Sequence, residues 1–164
     1  MPEGARQSDS FPSKSPGRLS ALPKSVADCF TDDGVYHDVF YDDFMGHDAA
    51  DMIENHFHRD GKNFIWDVFE PVGQGNVGYA RYVFSYDSGL PEPKNRRAVF
   101  EGVAICHLRE EQIIDYREVA TAATGLALMG FSAAKISRFI ERETEELVNR
   151  PETVHHLAAC ETLV

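Results

Sequence analysis

One carboxylate stands on an otherwise apolar strand face near the end of this chain. Side chains alternate between two faces along residues 112–120, so Glu118 shares its face with three apolar or aromatic residues: Ile114, Tyr116 and Ala120. A buried carboxylate has a movable pKa and can give or take a proton, which is what a general acid or base requires. The pattern therefore indicates acid/base chemistry at Glu118. The alternatives are an edge-exposed glutamate and a structural ion pair with an arginine.

The strand before it predicts a cavity beside that carboxylate. One face of residues 97–108 holds small or apolar side chains: Ala98, Phe100, Gly102, Ala104, Cys106 and Leu108. Small residues on the concave side of a bent sheet leave room, so this face is expected to line a pocket.

The opposite face of these two strands carries an apolar stripe. It consists of Val99, Val103, Ile105, Ile113 and Val119. An apolar patch in water marks an interaction surface, and association through one patch most often gives a twofold dimer. We therefore expect a homodimer formed through the outer face of the sheet.

Metal and nucleophile chemistry have little support in the sequence. The tightest histidine pair, His56 and His58, has a spacing of two, which on a helix points the rings about 200° apart. The chain has no HExxH motif, and its three cysteines lack CxxC spacing. No Gly-rich phosphate loop occurs either. We expect no metal and no cofactor.

The elements that position these residues follow from hydrophobic periodicity. Helices are predicted over 19–30, over 48–61, and from a Ser132 cap to about Asn149. Strands are predicted over 35–41, 64–70, 77–86, 97–108 and 112–120, the last four as two antiparallel hairpins. This order is typical of an α+β domain with a curved, mostly antiparallel sheet. We divide the chain into a flexible tail (1–18), the main domain (19–120) and a C-terminal helical extension (121–164).

Composition narrows the partners and the setting. The chain has 164 residues, 43% of them hydrophobic, and a formal net charge of −11. Such a surface repels phosphate backbones and anionic lipids, so neither nucleic acid nor a membrane is an expected partner. Three widely separated cysteines favour a reducing, cytoplasmic setting.

Two stretches resemble a known superfamily. The run Phe-Thr-Asp-Asp-Gly-Val-Tyr-His-Asp (30–38), followed by Gly-His-Asp-Ala-Ala-Asp-Met-Ile (46–53), is similar to the first strand and following helix of the nuclear transport factor 2-like superfamily. The resemblance continues through 97–105 and 111–118 and covers about residues 20–120. The superfamily includes SnoaL-like polyketide cyclases, ketosteroid isomerases, scytalone dehydratases and limonene epoxide hydrolases. It implies a cone-shaped domain whose sheet wraps around helices.

The resemblance also implies roles for particular residues. Asp38 matches the proton-shuttling aspartate of the isomerases, and Glu118 matches the aspartate with which the epoxide hydrolases deprotonate water. Tyr36 matches a tyrosine of those hydrolases, and Arg81 matches the arginine that bridges their two acidic groups. However, Val83 stands where the hydrolases have the acid that protonates the epoxide.

The pocket wall is expected to contain Trp66, Phe40, Ala104 and Tyr116. Ala104 stands about where the isomerases have their protonated, oxyanion-binding aspartate, which argues against steroid isomerisation.

These expectations describe an enzyme that needs no cofactor and acts on an apolar small molecule. Glu118 would be the principal base, Asp38 the proton shuttle, Arg81 the cation that holds both, and Tyr36 a hydrogen-bond donor to an oxyanion. Isomerisation, cyclisation, dehydration and hydrolysis of a polyketide, terpenoid or steroid-like substrate all fit. The alternative is a non-catalytic ligand-binding or protein-interaction module of the same fold.

Overall fold

A six-stranded sheet forms the body of the domain in the computed structural model, which describes residues 26–41, 43–91 and 96–158. Its strands are β1 (Phe30–Tyr36), β2 (Phe44–Met45), β3 (Gly61–Gln74), β4 (Val77–Ser88), β5 (Arg97–Arg109) and β6 (Gln112–Ala120). Their order in the sheet is β2-β1-β6-β5-β4-β3, and only the pairing of β1 with β6 is parallel. The predicted α+β class with a curved, mostly antiparallel sheet is confirmed.

Helices follow β2 and β6 along the chain. Helix α1 (46–60) begins as a 3-10 turn (Gly46–Asp48), continues as α-helix (Ala49–Met52), widens to a π-helix (Ile53–Phe57) and ends with a last α turn (His58–Asp60). After the sheet come α2 (Ala122–Met129), α3 (Ala133–Val148), a 3-10 turn (Pro151–Thr153) and α4 (Val154–Ala158). Ser132 caps α3 as predicted, because its Oγ accepts a hydrogen bond from the Lys135 amide. Among the described residues, no helix is both long enough and apolar enough to span a bilayer.

Two clusters of buried side chains fill the space on the inner face of the sheet. The first joins α1 to β1 and β6 through Phe30, Tyr36, Met52, Ile53 and Tyr116. The second joins the end of α2 to β5 through Ala98, Phe100 and Met129. Helix α2 approaches β5 closely at Gly125, where any Cβ would overlap the ring of Phe100. The helices therefore lie on the same side of the sheet as the small residues of β5.

The first strand is placed differently from the prediction. β1 begins at Phe30 rather than at residue 35, where the strand was predicted to begin, and it ends at Tyr36 rather than Tyr41. Burial of Phe30 and Tyr36 at its two ends, together with pairing to β6, holds this polar stretch in the sheet. Residues 26–27 are helical. The rest of the helix predicted before Cys29 and the predicted tail 1–18 lie outside the described residues.

The later hairpins are confirmed, with one change of face. β3 pairs with β4, and β5 pairs with β6, as predicted. A bulge in β6 opposite the step from His107 to Leu108 shifts the register. Ile113 therefore packs inside against the first core cluster, and its predicted place on the outer stripe is wrong. The outer valine patch (Val99, Val103 and Val119) is exposed.

Candidate active site

Glu118 lies on the inner face of β6 and is held by two tyrosines. Its Oε2 accepts a hydrogen bond from the Tyr82 hydroxyl, and the Tyr116 hydroxyl lies 3.4 Å from the same oxygen. The pKa of Glu118 is raised to about 7, mainly by burial; the negative charge of Asp38 also raises it, while the hydrogen bonds from the two phenols act to lower it. Near neutral pH this carboxyl therefore populates both its acid and its base form, which suits proton transfer.

Tyr82 reaches Glu118 across a glycine. Tyr82 on β4 is directly paired with Gly102 on β5, and Glu118 lies on the next strand, paired with Ala104. A Cβ at position 102 would lie 2.5 Å from the Tyr82 hydroxyl oxygen. The absence of a side chain at Gly102 is therefore what lets the phenol cross β5.

Asp38 follows the end of β1 and closes a tight turn with its own side chain. Its Oδ1 accepts hydrogen bonds from the backbone amides of Phe40, at 2.7 Å, and Tyr41, at 2.9 Å. Burial raises the pKa of Asp38, while the two amides and the charges of Arg142 and His56 act to lower it. A second carboxyl is thus fixed in orientation and partly buried.

Tyr36 lines the same chamber as the two acids. It is buried and stacked on Tyr116, with 4.6 Å between the ring centroids and an interplanar angle of 15°. Burial raises the pKa values of both phenols well above their ordinary range. Both rings therefore keep their protons at neutral pH and remain hydrogen-bond donors, which suits stabilisation of an oxyanion.

These residues line two adjoining chambers. The small chamber, of about 190 Å³, is lined by Asp38, Glu118 and Phe40 among others, and the large chamber, of about 740 Å³, is lined by Ala104 and Tyr116 among others. Both chambers share five wall residues: Tyr36, Phe57, Trp66, Tyr82 and Phe84. The large chamber has the size of a pocket for a drug-sized molecule. All four predicted wall residues thus line the cavity, and both acids border its small chamber.

Arg81 does not join the acids, and this part of the prediction is wrong. Its guanidinium lies 3.0 Å from Glu101 and 3.6 Å from Glu70, and it stacks over the ring of Phe69 at 4.4 Å. Successive residues of a strand point to opposite faces, and Tyr82 points inward, so Arg81 points outward. The role of the bridging arginine, which the resemblance implied for this position, therefore does not apply to Arg81, because Arg81 lies on the opposite face of the sheet from the acids.

The sequence interpretation also missed participants. Tyr82 shares the inner face of β4 with Ala80 and Phe84, and strand alternation makes this pattern visible in the sequence. Arg142, which lowers the pKa of Asp38, lies on α3, more than a hundred residues away, and no local pattern could have indicated it. Among the described residues, no group of three or more His, Cys, Asp or Glu side chains is arranged to hold a metal ion.

Comparison with protein families gives one match. The model of the SnoaL-like domain matches residues 21–116, more than half of the chain. This range contains β1 to β5, the helix α1 and the part of β6 up to Tyr116. No curated protein matches the chain.

Solved structures with very different sequences share the fold. A protein of ketosteroid isomerase-like fold from Catenulispora acidiphila, in complex with trimethylamine, has a TM-score of 0.61 at 16% identity and covers 70% of this chain and 87% of its own. An LEH-like epoxide hydrolase from M. tuberculosis has a TM-score of 0.54 at 17% identity, covering 68% and 82%. IdmH from Streptomyces antibioticus, provisionally assigned as a polyketide cyclase, has a TM-score of 0.52 at 16% identity, covering 66% and 86%. At such identities the likeness shows the fold alone.

Proposed function

The chain belongs to the SnoaL-like domain family, and we propose that it is a small-molecule enzyme in which Glu118 transfers protons without a cofactor. The observation that carries this proposal is a carboxyl with a pKa of about 7, hydrogen-bonded by Tyr82 and bordering an apolar cavity. A structural carboxylate at this place would be expected to pair with a cation. Instead, the described hydrogen-bond donors to Glu118 are neutral phenols.

The proton transfer in this proposal begins with the ionised form of Glu118. The carboxylate accepts a proton from a carbon acid next to a carbonyl, or from a water molecule, and the protonated carboxyl returns it to another atom of the substrate. Tyr82 and Tyr116, both protonated at neutral pH, donate hydrogen bonds to the carboxylate and oppose the cost of burying it. Asp38 serves as the second proton carrier, and Tyr36 donates to a developing oxyanion.

The shape of the cavity supports an apolar substrate with one polar end. The apolar body would occupy the large chamber, between Trp66 and the small side chain of Ala104. The reacting end would enter the small chamber beside Asp38 and Glu118. This arrangement suits polyketide, terpenoid or steroid-like molecules. The chemistry of some relatives supports the same range, since an epoxide hydrolase and a provisionally assigned polyketide cyclase share the fold.

Activity of the Glu118→Gln variant tests this proposal. A panel of apolar ketones, β-keto esters and epoxides is screened with the wild type, and exchange of the α-hydrogens of the ketones in D₂O reports proton abstraction directly. Glutamine keeps the shape but cannot accept the proton, so the rate should fall on the order of 10²-fold or more. Glu101→Gln, on the outer face of the neighbouring strand, is the matched control. Wild-type rates in the Glu118→Gln variant would refute the role of Glu118.

A homodimer through the outer face is a second part of the proposal. Val103 and Val119 are paired across β5 and β6, and both are exposed, as is Val99. Covering this outer valine patch with the same patch of a second copy would remove apolar surface from water on both chains. The same exposed patch supports the alternative function, a protein-interaction module, whose partner would compete with the second copy.

A further inference from the structure

The C-terminal helix α3 holds the loop that carries Asp38. The Arg142 guanidinium donates hydrogen bonds to the backbone carbonyls of Val39, at 2.8 Å, and Phe40, at 3.3 Å. Its position on the helix is supported by stacking over Phe139 at 5.2 Å and by Glu146 at 3.6 Å, one turn further on. Helix α3 lies beyond residue 116, where the family match ends.

Phe40 links this contact to the carboxyl group. Its amide donates to Asp38 Oδ1, while its carbonyl accepts from Arg142. Its ring lies between Phe100 on β5 and Phe139 on α3, with centroid distances of 5.3 and 5.4 Å. One residue thus connects the orientation of the Asp38 side chain to the docking of α3.

The C-terminal segment also builds part of the cavity wall. Leu126 and Met129 of α2, and Phe131 after it, line the small chamber together with Asp38 and Glu118. The small chamber is therefore completed by residues that follow the sheet in sequence.

From these contacts we propose that Arg142 is a positioning residue for Asp38. Its two hydrogen bonds fix the carbonyl groups of Val39 and Phe40 in the turn at 38–41, and its positive charge acts to lower the pKa of Asp38. The inference deepens the proposed function and rests on it for its catalytic consequence. The positioning itself can be measured without a substrate.

The charged and titratable groups around Asp38 come from five elements and from the loop that follows β1. Arg142 on α3 and His56 on α1 act to lower the pKa of Asp38, against the effect of burial. Glu118 on β6 feels the charge of Asp38, and so do four tyrosines: Tyr36, Tyr41, Tyr82 and Tyr86. Removal of Arg142 therefore leaves a less stabilised Asp38 carboxylate.

A carboxyl titration of the full chain tests the positioning. Protein labelled with ¹³C at the aspartate side-chain carboxyls is titrated by NMR, and the Asp38 signal is assigned from its loss in Asp38→Asn. Arg142→Gln removes the charge, so the midpoint of Asp38 should move to higher pH. Arg142→Lys keeps the charge and should leave the midpoint close to that of the wild type. Arg138→Gln, an exposed arginine one helical turn earlier on α3, is the matched control and should leave it unchanged.

The outcomes separate a positioning role from a merely structural one. If Arg142→Gln lowers the melting temperature but titrates at Asp38 like Arg138→Gln, the inference is overturned. If Arg142→Gln does not fold, the chemical shifts of the Phe40 and Tyr41 amides are compared between Arg142→Lys and the wild type. Lysine keeps the charge but has no planar guanidinium that could donate to both carbonyls at once. Displaced amide resonances with a retained midpoint support the inference, and resonances like those of the wild type overturn it.

Activity separates this inference from the proposed function. On any probe that the wild type converts, Arg142→Gln should lower kcat on the order of 10-fold, with little change in KM. Two measurements are combined: the Asp38 midpoint in Arg142→Gln and the turnover of Glu118→Gln. If the midpoint is shifted but Glu118→Gln turns over like the wild type, the proposed function is refuted and the positioning role stands. If the midpoint in Arg142→Gln is not shifted but Glu118→Gln has lost turnover, the positioning role is refuted and the proposed function stands.

Discussion

Replacement of Glu118 by glutamine should change how the stability of the protein depends on pH. The folded protein raises the pKa of Glu118 from the usual 4.5 to about 7, mainly through burial. Between these two values the folded state holds a proton that the unfolded state has released. The contribution of Glu118 to stability is therefore full below pH 4.5 and is lost as the pH rises toward 7.

The size of the effect follows from the two pKa values. Each pH unit in this window changes the free energy of unfolding by about 1.4 kcal/mol, so the full contribution is about 3 kcal/mol. Glutamine does not titrate, and its side-chain oxygen can still accept from Tyr82. The variant should therefore gain stability relative to the wild type as pH rises from 5 to 7, with little further change above pH 8.

Urea unfolding at half-unit steps from pH 5 to pH 8.5 measures this difference. Glu101→Gln is the control for loss of one negative charge from the same sheet. A Glu118→Gln variant whose stability relative to the wild type does not vary with pH would refute the assignment of a raised pKa. A variant less stable than the wild type at pH 8 by roughly 3 to 5 kcal/mol would show instead that Glu118 is the structural partner of a buried cation.

Two further predictions concern the tyrosine contact and the outer face. Tyr82→Phe removes the hydrogen bond to Glu118, so the titration midpoint of Glu118, detected by ¹³C NMR, should rise. The free energy of unfolding at pH 8 should fall by roughly 1.5 to 3 kcal/mol. Tyr79 is exposed on the same strand, and Tyr79→Phe should change neither quantity. An unchanged midpoint would mean that this hydrogen bond does not form in solution. Sedimentation of the wild type should give a mass of twice the 18.4 kDa of one chain. Val119→Asp places a charge in the outer valine patch and should give the mass of a single chain. Val154→Asp, at an exposed position on α4, should leave the dimer intact. A wild type that remains a single chain at tens of micromolar would contradict the homodimer.

From the sequence alone, strand periodicity and turn residues predicted both hairpins, and alternation predicted that Glu118 would face inward beside the small residues of β5. These features are local, because the direction of a side chain on a strand depends on its position relative to its neighbours. The same rule, applied to Tyr82, would have shown that Arg81 points outward. The resemblance to a known superfamily predicted the fold and pointed to Asp38 and Tyr36 as residues of the site, since these features depend on the shared scaffold.

Only the tertiary structure decided which groups meet across the chain. The bulge in β6 turned Ile113 inward, and the missing side chain at Gly102 let Tyr82 reach Glu118 on the second strand away. Arg142 meets the Asp38 turn because α3 docks across it, a contact between residues more than a hundred positions apart. Such contacts depend on how separate elements pack, so they cannot be predicted from the spacing of residues within one element.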